Sequence, residues 1–200
     1  MLDSNKDSHV DEGFVYEPAD DSLLLMEAVK YARGDVLELF AGSGVVGLAA
    51  AEKAKNVILA DINEDAIHMI NKRIEEKGLA NCKAVKSDLF SGLNGKVFDV
   101  IYMNPPYLPD VGRGKNSVEN ALVGGEEGYE ITLEALHQSR DHLRSDGEIY
   151  LIISSVYDVR NVYKAIKSIN FEFEVLNTKK FFFEELLLVK IYEERRDSGN

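Results

Sequence analysis

The sequence predicts a three-layer α/β/α domain whose seven-stranded sheet is mostly parallel, with one antiparallel strand near an edge. Segments with strand and helix periodicity alternate along most of the chain, which is typical of a parallel sheet with right-handed crossovers. The segment VFDVIYM at 97–103 is almost entirely apolar, as expected of a strand covered by helices on both faces. The last two strand-like segments have no helix between them and therefore predict an antiparallel hairpin.

Local signals place the individual elements. The first helix can be capped by Asp20, Asp21 or Ser22, and the third ends before Gly78, a residue type that suits a helix C-terminus. The strands are predicted at 35–40, 57–61, 83–87, 97–103, 148–154, 172–177 and 185–192, and the helices at 20–31, 45–53, 64–77, 129–143 and 158–168. Residues 108–128 contain five glycines and no clear element, so we expect a functional, substrate-contacting loop there.

Composition limits the classes of function. The 200 residues predict one domain, 1–200, with a flexible N-terminal arm at 1–14. Cys82 is the only cysteine and the four histidines lack ligand spacing, so we expect no metal site. The net charge of −12 argues against non-specific binding to duplex nucleic acid. The sequence shows no apolar span and no signal core, so we expect a cytoplasmic protein with no membrane partner.

A glycine turn at 38–44, ELFAGSG, follows the first strand and precedes the second helix. Glycines at such a turn let a ligand approach the backbone at the carboxyl edge of the sheet. Phe40 stands where a dinucleotide fingerprint has its first glycine, and the Lys-Ser/Thr ending of a P-loop is missing. A tight helix-capping turn without a ligand is the alternative interpretation.

Two acidic residues come at the ends of the next two strands. Asp61, about 17 residues beyond the glycine turn, can accept hydrogen bonds from both hydroxyls of a ribose. Asp88 can accept from an adenine amino group, and Leu89 offers apolar contact to the ring. The alternatives are that Asp61 or Asn63 only caps the third helix, and that Asp88 only forms a turn.

The most specific motif is Asn104-Pro105-Pro106-Tyr107, directly after the apolar strand. The two prolines fix the backbone and remove two N–H donors. The Asn104 side-chain oxygen and the Pro105 carbonyl can then both accept from one planar NH2 group, while Tyr107 stacks on its flat face. This arrangement orients an amide or exocyclic amine nitrogen for reaction. An ordinary turn, which Asn and Pro also favour, is the alternative.

The order of these motifs resembles class I S-adenosylmethionine-dependent methyltransferases that modify planar nitrogens. The segment 16–22, YEPADDS, is similar to that of the short HemK-like glutamine methyltransferases of archaea and eukaryotes. The resemblance implies the strand order 3-2-1-4-5-7-6 and catalytic residues Asn104, Pro105, Pro106 and Tyr107. It implies an S-adenosyl-L-methionine site formed by Tyr16, Pro18, Ser22, Glu38, Phe40, Ala41, Gly42, Gly44, Asp61, Ile62, Asp88, Leu89 and Asn104.

The resemblance further implies methylation of a glutamine side chain in a class I translation release factor, with a small zinc-ribbon activator protein as partner. An adenine-N6 methyltransferase on DNA or RNA is the alternative, because the same motif serves an exocyclic amine. A catalytically silent scaffold is a third interpretation. The short third strand is a candidate edge for the activator, unless Lys83 and Lys86 only protect it. The aromatic run at 181–183 is expected to pack between the last strands, with a partner surface as the alternative.

Overall fold

The computed structural model describes residues 19–108 and 123–193, which form one seven-stranded sheet with helices on both faces. The strands are β1 Asp35–Leu39, β2 Asn56–Asp61, β3 Cys82–Lys86, β4 Phe98–Met103, β5 Leu143–Ser154, β6 Phe171–Lys180 and β7 Glu185–Glu193. Their order is β3-β2-β1-β4-β5-β7-β6, as predicted. The β3-β2-β1-β4-β5 pairings are parallel, whereas β7 runs antiparallel to both of its neighbours.

Within the described residues five α-helices cover the sheet: α1 Asp20–Met26, α2 Val45–Ala50, α3 Glu64–Lys77, α4 Glu130–Ser139 and α5 Val159–Ser168. Two apolar clusters occupy the two faces of the sheet. One joins α1, α2 and α3 to the sheet through residues such as Leu25 and Ile70. The other joins α4 and α5 through residues such as Leu136 and Ile166. The predicted three-layer fold class is therefore confirmed.

Several element boundaries differ from the sequence-based ones. The first predicted helix continues beyond Met26 only as a 3-10 helix, Glu27–Tyr31, and its N-cap is Ala19 rather than one of the three expected polar residues. The fourth helix likewise ends as a 3-10 turn, Arg140–His142. Tight turns of this kind are common at helix ends. The C-terminus of α3 agrees with the prediction, because Gly78 adopts the left-handed conformation with φ of 62°.

The carboxyl ends of β1 to β5 share one edge of the sheet. Because β7 is antiparallel to β5, the turn that joins β6 to β7 lies at this same edge, where Ser154 pairs with Leu186. The predicted arm at 1–14 and most of the predicted loop lie outside the described residues, although Leu108 and Val123 form an isolated bridge. None of the helices within the described ranges is long and apolar enough to cross a membrane.

Candidate active site

A cavity of about 750 Å³ opens at the carboxyl edge of the sheet. It is lined by thirteen of the residues singled out in the sequence: Ser22, Glu38, Phe40, Ala41, Gly42, Asp61, Ile62, Asp88, Leu89, Asn104, Pro105, Pro106 and Tyr107. Tyr16 and Pro18 lie outside the described residues. The topology explains the convergence, because these side chains follow the ends of neighbouring parallel strands.

The glycine turn contains three residues in the left-handed region: Phe40 with φ of 61°, Gly42 with 49° and Gly44 with 74°. This backbone favours glycine, so Phe40 is strained at a position where the dinucleotide fingerprint has glycine. Gly44 does not line the cavity. A Cβ there would lie 2.9 Å from Ile70 Cγ1 and 3.0 Å from Leu59 Cδ2. Gly44 therefore allows α2 to approach β2 and α3 closely.

Asp61 connects the glycine turn to the end of β2. Its Oδ2 accepts a hydrogen bond from the Gly42 N–H at 2.7 Å, and its Oδ1 accepts from the Asn63 N–H at 2.8 Å. The cap of α3 is Asn63, whose side chain accepts from the Asp65 N–H at 2.9 Å. The capping role is thus filled by Asn63. A carboxylate has about four lone-pair sites, so the two backbone bonds leave Asp61 able to accept from a ligand in the cavity.

Glu38 lies buried beneath the turn and is only 5% exposed. Its Oε2 accepts from the Gly47 N–H at 2.8 Å. Burial raises the pKa of Glu38 to about 8; the Val46 and Gly47 N–H groups oppose this shift, and the charge of Asp61 adds to it. Gly47 is a residue that the sequence pattern did not single out. A Cβ there would lie 2.7 Å from Glu38 Oε2, so only glycine leaves room for the carboxyl group.

The turn after β3 is held in shape by Ser87. The Ser87 hydroxyl donates to the Leu89 carbonyl at 2.6 Å and accepts from the Gly92 N–H at 2.9 Å. This arrangement keeps Leu89 in the left-handed region, with φ of 47°, and Asp88 at the cavity wall. A turn is therefore present, and it presents both predicted residues to the cavity.

The Asn104 side chain presents an unused acceptor at the cavity. Asn104 follows the fully buried end of β4, and among the described residues its Oδ1 is buried without a hydrogen-bond partner. Tyr107, half-buried, has a side-chain hydrogen bond to Asp21 of α1. Burial and the nearby carboxylates of Asp21 and Glu184 raise the pKa of Tyr107 above its ordinary range. A buried polar atom without a partner is costly, so Asn104 Oδ1 is suited to accept from a ligand N–H.

Another part of the cavity lining comes from α4 and the turn that follows it, which the sequence pattern did not identify. Gln138 Oε1 accepts from the Phe90 N–H at 3.4 Å. The His142 ring stacks on Phe90 with ring centroids 4.6 Å apart. The partners in these two contacts are about 50 positions apart in the chain, so no local sequence signal identifies them.

Comparison with known proteins identifies the family. Residues 14–183 match the methyltransferase small domain family. The chain belongs to this family. It is 34% identical over 182 residues to the "Putative protein N5-glutamine methyltransferase" of Methanocaldococcus jannaschii, covering 89% of this chain and 91% of the relative. It is 30% identical over 169 residues to "Methyltransferase HEMK2" of Mus musculus, covering 77% and 78% respectively.

A solved structure has the same fold. The Mtq2–Trm112 complex of E. cuniculi, described as responsible for methylation of the eRF1 translation termination factor, contains a chain that superposes with a TM-score of 0.71. The match is 22% identical and covers 90% of this chain and 98% of that one. The expectations of a class I methyltransferase fold, of methyltransferase activity and of a HemK-like relationship are confirmed.

Proposed function

We propose that the enzyme transfers a methyl group from S-adenosyl-L-methionine to the side-chain amide nitrogen of a glutamine in a class I translation release factor. The observation that carries the proposal is the buried acceptor Asn104 Oδ1, which lacks a partner among the described residues and belongs to a residue that lines the cavity. An amide NH2 group supplies the N–H donor that such an acceptor requires. The proposed substrate also implies that the enzyme acts in the cytoplasm, where translation terminates.

The cavity fits the cofactor. In this proposal Asp61 accepts from the ribose hydroxyls, Asp88 and Leu89 contact the adenine, and the backbone of Phe40–Gly42 approaches the methionine part. All of these residues line the cavity, which supports the assignment. Glu38 lies buried behind this turn, and a cationic ligand bound nearby would favour its ionised form. When bound, S-adenosyl-L-methionine supplies an electrophilic methyl group on a sulfonium. Tyr16 and Pro18 are proposed to complete the site, on the resemblance alone.

The Asn-Pro-Pro-Tyr segment orients the amide nitrogen. Asn104 Oδ1 and the Pro105 carbonyl accept the two amide hydrogens, which fixes the plane of the amide and the direction of the nitrogen lone pair. Pro106 stiffens the segment, and the Tyr107 ring, tethered by Asp21, lies against the flat face of the amide. Positioning of this kind contributes about 7–11 kcal/mol in well-oriented systems. The amide proton leaves after transfer, when the methylated nitrogen is strongly acidic.

The names of the relatives favour a protein glutamine as the substrate. The M. jannaschii relative has the name "Putative protein N5-glutamine methyltransferase", and the Mtq2–Trm112 complex is described as acting on a termination factor. The net charge of −12 also disfavours a nucleic-acid groove. The exocyclic NH2 group of adenine would donate to the same two acceptors, so adenine-N6 methylation is the competing outcome in the test.

A small zinc-ribbon activator is proposed to add to the edge strand β3. This strand pairs only with β2 within the described residues, and edge strands can accept an added strand from another chain. The exposed Lys86 forms an ion pair with Glu64 at 2.7 Å, which is consistent with simple protection of the edge. If an activator is required, its co-expression with this chain should raise the solubility and the activity of the chain. A chain that is stable and fully active alone would contradict the proposed partner.

Transfer of a labelled methyl group, offered in parallel to release factor, DNA and RNA, tests the function. We expect label in release factor at a single glutamine, located by mass spectrometry. Asn104→Ala should lower kcat/KM at least tenfold, or about 1.4 kcal/mol. Tyr107→Ala should leave the cofactor affinity nearly intact in calorimetry. Tyr107→Ala should mainly raise KM for the protein substrate. Label in nucleic acid, or full activity of Asn104→Ala, would refute the proposal.

A further inference from the structure

The tip of the β6–β7 hairpin exposes two aromatic side chains that the site described above does not use. Phe182 is 92% exposed and Phe183 is 90% exposed, more than any other large apolar residue within the described ranges. Their rings lie edge to face, with centroids 4.6 Å apart. The expectation that residues 181–183 pack between the last strands is therefore wrong for Phe182 and Phe183, because only Phe181 faces the core.

The hairpin tip lies at the same edge of the sheet as the Asn-Pro-Pro-Tyr segment. Glu184, the next residue in the tip, accepts from the Ser154 hydroxyl at the end of β5 at 2.9 Å. Its carboxylate is also close enough to Tyr107 to contribute to the raised pKa of that phenol, after burial and Asp21. The exposed pair therefore lies at the same edge of the sheet as Asn104, two strands away from β4.

The tip is held by several contacts. The Phe181 N–H donates to the Glu184 carbonyl at 2.8 Å and closes the turn. Lys179 lies over the Phe181 ring at 5.5 Å and forms an ion pair with Asp20 of α1. The Glu185 N–H donates to the Ser155 hydroxyl at 2.7 Å. The aromatic pair is therefore presented on an anchored turn, so little conformational entropy is lost when a partner binds to it.

Exposed apolar groups continue from the tip along the carboxyl edge. Val156, 39% exposed, follows β5, and Leu108, 40% exposed, follows the Asn-Pro-Pro-Tyr segment after β4. Because β4, β5 and β7 are adjacent in the sheet, these groups follow neighbouring strands in order from the hairpin tip to the reactive site. Leu108, Val156, Phe182 and Phe183 are named here the apolar rim.

We propose that the apolar rim is the docking surface for the protein substrate, with Phe182 and Phe183 receiving an apolar side chain that flanks the target glutamine. This inference rests on the proposed function and extends it to substrate selection. The Asn-Pro-Pro-Tyr segment recognises only an amide, which every glutamine has, so selection needs contacts elsewhere. Exposed aromatic residues are the type most enriched in protein–protein contacts.

Other occupants fit the rim less well. Each aromatic side chain buries about 150–250 Å² at most, so the pair supplies too little area for a specific dimer, which needs about 1,200 Å² in total. A stacked nucleobase would require phosphate contacts from a chain of net charge −12. A flexible segment of the substrate, already held at its glutamine, needs only this limited additional contact.

Steady-state kinetics with release factor and S-adenosyl-L-methionine test the rim. The double variant Phe182→Ser/Phe183→Ser should raise KM for release factor at least tenfold, with kcat at saturation within twofold of the parent. Because both residues are almost fully exposed, its Tm and its cofactor Kd should equal those of the parent. The control Val97→Ser removes a side chain that is 38% exposed just before β4, at the opposite edge of the sheet, and should leave KM unchanged.

Each other result identifies a different error. An unchanged KM in the double variant, with an active parent, overturns the docking surface while the proposed function stands. A lowered Tm means that the pair packs on the chain's own residues, and a parent dimer that becomes a monomer means that a second copy covers it; both overturn the proposal. Loss of methyl transfer to an oligonucleotide would assign the pair to nucleobase stacking. A parent that does not methylate release factor refutes the proposed function, and the docking surface falls with it.

Discussion

Replacing Glu38 by glutamine should remove a pH dependence of folding stability that the buried carboxyl group imposes. Burial raises the pKa of Glu38 from an ordinary value of 4.5 to about 8. Between these two values the folded protein holds a proton that the unfolded chain releases. The free energy of unfolding therefore falls as pH rises from 4.5 to 8, and it levels off above that. The amide that Glu38→Gln introduces is neutral throughout, and its oxygen can still accept from the Gly47 N–H.

The size of the effect follows from the width of this window. Each pH unit corresponds to about 1.4 kcal/mol per proton. The parent therefore loses on the order of 5 kcal/mol across the whole window from 4.5 to 8, relative to Glu38→Gln. The loss is on the order of 3 kcal/mol by pH 7. Effects of this size exceed the usual consequence of a single surface substitution.

Urea unfolding of the parent and Glu38→Gln at half-unit steps from pH 5 to 9 measures this difference. We expect the gap between the two unfolding free energies to widen in favour of the variant up to about pH 8. Glu76→Gln, which removes a surface carboxyl group on α3 that is 61% exposed, is the matched control and should follow the parent. If the parent and Glu38→Gln have parallel profiles, the carboxyl group is ionised throughout and the argument from burial is refuted.

Two further substitutions test the cofactor side of the cavity. Asp61→Ala removes the acceptor proposed for the ribose, together with the acceptor for the Gly42 N–H, and should weaken S-adenosyl-L-methionine binding by about 1.5–3 kcal/mol in calorimetry; unchanged affinity refutes the ribose assignment. Gly47→Ala forces Glu38 to move, and this overpacking should lower the free energy of unfolding by about 1–3 kcal/mol, offset by about 1 kcal/mol from the higher helix propensity of alanine. The same substitution should weaken cofactor binding. Gly78→Ala, whose Cβ meets nothing within 4 Å, is the control and should lower Tm without changing cofactor affinity. If Gly47→Ala and Gly78→Ala change cofactor affinity equally, the steric argument for Gly47 is refuted.

The sheet and its order were predictable because the relevant signals are local or general. The apolar runs of the parallel strands, the helices between them and the left-handed Gly78 each follow from short segments of sequence. The start of β5 was not predictable in the same way. Its first residues, LRSDG, resemble a turn, yet Leu143 pairs with Phe98 before a register shift, and the regular pairing resumes at Val100 and Glu148. That pairing depends on a strand about 45 positions away.

The same distinction between local sequence signals and contacts with distant residues applies to the candidate site. Asp61, Asp88 and Asn104 were predictable because each follows a recognisable strand, and parallel strands bring their carboxyl ends to one edge. Gly47 gave a weak local signal, because it is a glycine inside the helical segment VVGLAA. Glycine is needed there because of the Glu38 carboxyl group nine positions earlier, which accepts from the Gly47 N–H. The residues of α4 that line the cavity gave no local signal in the sequence, because the contact between Gln138 and Phe90 forms only when the helix packs on the sheet.

The acidic groups around the glycine turn favour a cationic ligand over the pyrophosphate of a dinucleotide. In dinucleotide folds the turn and the helix N-terminus receive a pyrophosphate, which carries negative charge. Here Glu38 is buried directly behind the turn, and Asp61 binds the Gly42 N–H that would otherwise be free to bind a phosphate. The nearby charge of Asp61 contributes to the raised pKa of Glu38, because ionisation of Glu38 would place a second negative charge beside it. A cationic ligand would be attracted by Asp61 and would favour the ionised form of Glu38, whereas a phosphate would be repelled by Asp61, so this turn suits a cationic ligand better than a pyrophosphate.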